Sequence, residues 1–155
     1  MKGRYRSTSV SPCLAIHNVL VGKNEPQSIS VPVSFPIGQN EGQKIVELHA
    51  LIDCGAGGRF IDQNFARKLG LELIPLPEPL PVKNVDGTLN KKGMIKNKVR
   101  LALKIGDRRR NITLLVSGLG KQKIILGLPW LRKENPDINW KTGEIKWRTP
   151  DQPIK

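Results

Sequence analysis

With 155 residues, 38% of them hydrophobic and well spread, the chain has enough apolar material for one domain with a core, and no run of about eighteen apolar residues offers a membrane span. Lys and Arg number 26 against 13 Asp and Glu, a net charge of +13 that favours polyanions, while 5% aromatics leave few platforms for stacking bases. The two cysteines, Cys13 and Cys54, make neither a disulfide framework nor a metal site, and an intracellular, reducing setting is the default expectation.

Residues 1–12, rich in Ser, Arg and Lys, read as a loose basic terminus, 13–148 as the domain and 149–155 as a tail. The apolar run Leu14–Val21 is short and broken by His17 and Asn18, so it reads as a strand and not as a signal peptide. Ile29, Val31, Val33 and Phe35 alternate in a second strand, reached through Gly22-Lys23-Asn24-Glu25-Pro26. After a polar loop, Gly38–Gln43, the run Ile45–Ile52 has the length of a buried strand and ends on Asp53.

Asp62 is placed to cap a short helix from Gln63 to Leu69, closed by Gly70, with Phe65, Ala66 and Leu69 as its core face. Four prolines (Pro75, Pro77, Pro79, Pro81) exclude Leu71–Pro81 from a central strand and make it an extended connection. Val85-Asp86-Gly87-Thr88 carries the Asp-Gly of a hairpin turn. Val99–Ile105 alternates apolar with charged residues and turns at Gly106-Asp107 toward Ile112–Val116, with Arg108-Arg109-Arg110 decorating the hairpin tip. The strand beginning at Ile124 ends in glycine, and Pro129 suits the first turn of a short helix to Glu134. Ile138–Trp140 and Ile145–Trp147 flank Lys141-Thr142-Gly143 as a last hairpin. Many short strands with two brief helices predict a mainly β, barrel-like domain.

The chemistry-bearing stretch is Ala50-Leu51-Ile52-Asp53-Cys54-Gly55-Ala56-Gly57-Gly58. A rigid strand delivers one carboxylate into a dry place beside three glycines in four positions, where the backbone turns tightly and another chain or ligand comes close. The same residues also fit a capped turn in which Asp53 accepts bonds from loop amides. Downstream, Ile124-Ile125-Leu126-Gly127-Leu128-Pro129-Trp130-Leu131 repeats the pattern of a buried strand ending in glycine.

The order Φ-Φ-Asp-x-Gly-Ala and then Φ-Φ-Φ-Gly, in "ALIDCGAGGRFIDQNFARKLGL" and "IILGLPWLRKENPDINWKTGEI", resembles the retropepsin-like aspartic proteases. Within that group it is most similar to the protease segment of gypsy-type LTR-retrotransposon polyproteins of the fungal type. The resemblance runs from Ile45 to Trp147 and implies a retropepsin-like closed barrel, homodimeric, with one active site on the two-fold axis. It implies no cofactor and no metal. The substrate would be an extended stretch of the parent polyprotein, and the setting cytoplasmic or a virus-like particle, with no membrane.

Asp53 would be the catalytic residue. A water attacking a peptide carbonyl needs one carboxylate to take its proton and a carboxylic acid to support the oxyanion. Two carboxyls in contact share a proton and divide these roles. The sequence contains a single Asp-x-Gly, so the pair requires a second copy of the chain. Cys54 and Gly55 would form the dimer lock and active-site loop. Ala56, Gly57 and Gly58 would line a substrate that adds to protein backbone by strand pairing. Val85, Asp86, Gly87 and Thr88 would be the flap that closes over it, although the same hairpin also reads as an ordinary surface turn.

Two positions depart from the family pattern. Cys54 stands where Ser or Thr is common, and its thiol is a weaker donor for the lock between loops. Gly57 stands where many relatives carry a hydroxyl or acidic residue. Both predict a feebler or more dimer-dependent protease, the alternative being a retropepsin-like dimerisation or peptide-binding module that does not cleave. A Cys54 nucleophile with a histidine base is disfavoured, because His49 precedes Asp53 by four strand positions, about 13 Å away. His17 and His49 read as structural. Non-specific association with nucleic acid rests on the basic charge alone. Because copies of charge +13 repel one another, the dimer dissociation constant measured by sedimentation is expected to fall as salt rises, and a salt-indifferent constant would contradict this.

Overall fold

The computed structural model describes residues 28–83 and 93–148. The Leu14–Val21 run, Cys13, His17 and the Val85–Thr88 hairpin lie outside the described residues. The elements are β1 (Ile29–Ile37), β2 (Lys44–Asp53), β3 (Arg59–Asp62), α1 (Gln63–Lys68), β4 (Ile74–Leu80), β5 (Ile95–Ile105), β6 (Arg108–Ser117), β7 (Ile124–Gly127), α2 (Leu128–Glu134), β8 (Asp137–Ile138) and β9 (Ile145–Lys146).

Alternating residues pair β1 with β2 antiparallel from Ile29↔Ile52 to Ile37↔Lys44. The strand order runs β1-β2-β7-β3-β6-β5, and β5 returns to β1 through Ser34↔Lys104, closing a six-stranded barrel. Two of the pairings are parallel, β2 with β7 and β3 with β6. Val31, Val33 and Phe35 of β1, Val99, Leu101 and Leu103 of β5, and Ile112, Leu114 and Val116 of β6 fill the interior with Ala50, Ile52, Ile61, Ile124 and Leu126. On the opposite face of the central strands, Leu51, Phe60 and Ile125 pack with Ala56, Val82, Ile95 and Leu119 in a second cluster. Burial on both faces explains why β7 reads Ile-Ile-Leu-Gly without alternation, all four residues being buried.

The structure departs from the sequence reading in several places, three of which shape the sheet and its ends. Arg59–Asp62 is a strand, β3, inserted between β7 and β6; four residues are too few for a period to show. The proline-rich segment is more than a connection: Ile74–Leu80 forms β4, paired with β5 through Ile74↔Lys98 and Leu80↔Ile95 with an irregular register between. It sits at the sheet edge, where missing proline N–H groups cost no ladder bond. Third, the arginines after Gly106 do not all decorate a tip. Arg108 and Arg110 reach Glu134 of α2 at 3.2 and 3.8 Å, and the Arg108 guanidinium lies 4.3 Å from the centroid of Trp147.

Trp147 itself donates Nε1–H to the Ile105 carbonyl at 3.1 Å and meets Trp130 edge to face at 6.2 Å. The last hairpin, shorter than its sequence suggested, therefore straps α2 to the β5–β6 turn. Asp62 caps α1 as expected, its Oδ2 accepting from Phe65 N–H at 3.1 Å. Asn135 ends α2 in the left-handed conformation at φ 43°. Leu126 is wholly buried in the barrel interior, so Leu126→Ala should lower the unfolding free energy by about 2–5 kcal/mol in urea titration.

Candidate active site

Asp53 is the last residue of β2, in parallel register with Gly127 at the end of β7. Its carboxylate is held by the loop it opens, since Gly55 N–H donates to Oδ1 at 2.9 Å while Ala56 N–H donates to the Asp53 carbonyl at 3.0 Å. The capped-turn and catalytic readings of this residue therefore share one geometry: the loop amide that caps the turn also orients the acid. Asp53 is half-buried, and Cys54 beside it is exposed with a free thiol. The dry place expected for the acid is thus only partly built by one chain, whose loop is open on its outer side.

The loop is fastened to the neighbouring strand by two further bonds, from Gly127 N–H to the Gly58 carbonyl and from Leu128 N–H to the Ala56 carbonyl, each 2.9 Å. The approach is so close that a Cβ on residue 127 would lie 2.3 Å from the Gly58 oxygen and 2.4 Å from the Ala56 oxygen. Only glycine fits there. Gly58 is bare for a related reason, because a Cβ would meet the Phe60 ring at 2.9 Å.

Among the residues expected to line a substrate, Ala56 differs from that expectation. Its side chain is wholly buried, its N–H donates to the Asp53 carbonyl and its carbonyl accepts from Leu128 N–H, so it forms the floor of the site. Gly57 and Gly58 are half-buried. Gly57 opens on a cavity of about 230 Å³ lined also by Phe60, Leu80, Val82, Ile95 and Leu115. Sequence reading missed these apolar walls, because Leu115 reaches Phe60 only through the parallel pairing of β3 with β6. Lys83, where the described chain stops before residue 93, lines the same cavity. Val85, Asp86, Gly87 and Thr88 lie outside the described residues.

A second missed feature is the other oxygen of Asp62. Oδ1 accepts from Leu119 N–H at 3.0 Å, and Asp62 N–H donates to the Lys123 carbonyl at 2.8 Å, so this buried acid ties the loop before β7 to the start of α1. His49 lies exposed on β2, and the described residues bring no second histidine to the site. No group of three or more His, Cys, Asp or Glu among the described residues could hold a metal ion.

A closed barrel that presents an aspartate at a strand end, strapped to a glycine on its parallel neighbour, defines the retropepsin-like class of fold. The retroviral protease-like domain of Ddi1 from Leishmania major shares this fold at a TM-score of 0.54 and 15% identity, over 81% of this chain and 88% of that one. EIAV protease, solved in complex with the inhibitor HBY-793, matches at a TM-score of 0.49 and 17% identity, over 73% and 93%. At the level of sequence, the PEG10/RTL1 protease domain family matches residues 49–152, and the chain belongs to that family. The family is retropepsin-like and comes from a retrotransposon-derived gene.

The two aspartates separate cleanly by experiment. Asp62→Ala leaves a buried N–H of Leu119 and the α1 cap without their acceptor and should cost about 2–4 kcal/mol in thermal or urea unfolding. Asp53→Asn keeps an oxygen for Gly55 N–H and should unfold within about 0.5 kcal/mol of the parent. Gly127→Ala forces the loop off β7 and should give no cooperative unfolding transition.

Proposed function

We propose that the chain is an aspartic endopeptidase that works as a homodimer and cuts extended segments of its parent retrotransposon polyprotein. The observation that carries this reading is the placement of Asp53: half-exposed at a rigid strand end, oriented by Gly55 N–H and backed by Gly127. One such carboxylate cannot both accept a proton from water and support the oxyanion, so Asp53 and its symmetry mate form the pair and share one proton. The open outer side of the loop, with Cys54 exposed, is the side a second copy would cover. The substrate backbone would lie across Gly57 and Gly58, one apolar side chain entering the cavity walled by Phe60, Val82, Ile95 and Leu115. The hairpin Val85-Asp86-Gly87-Thr88 would close over it as the flap. The gypsy-type polyprotein of fungal kind remains the parent that the quoted stretches suggest.

A second reading has its own observation. Cys54 places a weak donor at the position of the inter-loop lock, and Gly57 offers no side chain to hold substrate backbone. With these two, the same fold serves as a dimerisation or peptide-binding module with little turnover.

Peptide-library cleavage between about pH 4 and 7, at high salt, distinguishes the two. For the enzyme, the rate grows with the square of chain concentration at low dose, and Asp53→Asn abolishes it. Cys54→Ser should raise activity at low chain concentration by roughly ten-fold, through a tighter lock worth about 1.4 kcal/mol. No cleavage from chain shown to be dimeric establishes the binding module.

A further inference from the structure

The outer face of the β5–β6 hairpin carries charge of a single sign that the protease reading does not use. Val99, Leu101, Leu103 and Ile105 point into the barrel, which turns Lys98, Arg100 and Lys104 outward. On β6, Ile112, Leu114 and Val116 point inward and leave Arg109 outward, directly opposite Lys104. Neither strand contains an acid, and among the described residues none of these four cations joins an ion pair. Like charges facing each other across a ladder weaken it, so Lys104 and Arg109 are placed at some cost to the sheet. Glu47, one strand beyond β1, and Glu78 on β4 bound the stripe.

We propose that this face binds the phosphate backbone of single-stranded nucleic acid without reading its sequence. Successive outward positions on a strand stand about 7 Å apart, comparable with neighbouring phosphates on an extended strand. The remaining outward residues, Ala102, Asn111, Thr113 and Leu115, include no aromatic, so the face offers charge and hydrogen bonds to phosphates and no stacking platform for bases. The stripe begins at Lys98, in register with Leu115, and therefore starts beside the cavity at Gly57.

Fluorescence anisotropy of the full chain with labelled oligouridylate and a mixed-sequence DNA strand of equal length tests the proposal. Affinity should be similar for both and should fall steeply with salt, by a logarithmic slope of about 0.7 for each phosphate engaged. Lys98→Gln/Arg100→Gln/Lys104→Gln/Arg109→Gln should weaken binding roughly ten-fold or more at moderate salt and lower that slope by about 3. The double variant Lys104→Gln/Arg109→Gln removes only the opposed pair; it should melt no lower than the parent and still lose roughly three-fold in affinity. Equal weakening by Lys68→Gln/Lys121→Gln/Lys133→Gln/Lys141→Gln, which removes the same charge elsewhere, would overturn the assignment to this face. Binding of polyglutamate as tight as that of the oligonucleotides would overturn the phosphate reading.

Discussion

At the end of β7 the backbone of Gly127 runs against the carbonyl oxygens of Ala56 and Gly58, closer than any side chain would permit. That contact makes possible the two bonds which strap the loop to the strand, and the parallel pairing brings Asp53 level with Gly127. The loop between Asp53 and Gly58 has no secondary structure of its own to hold it. Its shape comes from being pressed onto a neighbour whose other face is buried in the barrel, and a rigid neighbour makes a rigid acid. The orientation of the carboxylate by Gly55 N–H is thus the last step of a chain of dependence that begins with a missing methyl group.

The second apolar cluster extends that dependence to the cavity. Because Leu51, Phe60 and Ile125 are buried on the face away from the barrel interior, the central strands are sandwiched, and Phe60, Val82 and Ile95 serve both as cavity wall and as part of this second core. Polar ties operate at the margins of this layer. Asp62 joins the loop before β7 to the start of α1 by accepting from two backbone N–H groups, and at the far end Glu134 pairs with Arg108 and Arg110, Arg108 lying against Trp147. Both acids sit where apolar packing alone leaves backbone or charge uncompensated.

Much of this was legible in the sequence because its signals are local. Alternation in β1 and β5 marked their inward faces, Asp62 marked a cap, Pro129 a helix start, and the two stretches around Asp53 and Gly127 carried the class of fold. What was not legible is what pairing creates. The four-residue β3 shows no period, the Ser34↔Lys104 closure joins strands far apart in the chain, and Arg108 finds Glu134 only after the barrel has rolled up. The prolines of β4 exclude a central strand, and an edge strand and an extended connection look alike in sequence until β5 is there to pair with. The half-exposure of Asp53 was equally hidden, since a sequence shows where an apolar run ends but not which side of its last residue the fold leaves open.

The support given to Asp53 has a further consequence. The bond that orients it is donated by a backbone amide to an oxygen, and an amide side chain offers that same oxygen. Folding therefore exerts no selection for the acid as such. Gly127, Gly58 and Asp62 are guarded by the fold, whereas the one group on which hydrolysis would depend is guarded only by whatever use the host has for it. A domain of this design can drift into silence by a single exchange and keep its shape intact, so a preserved barrel is a record of ancestry and carries no record of use.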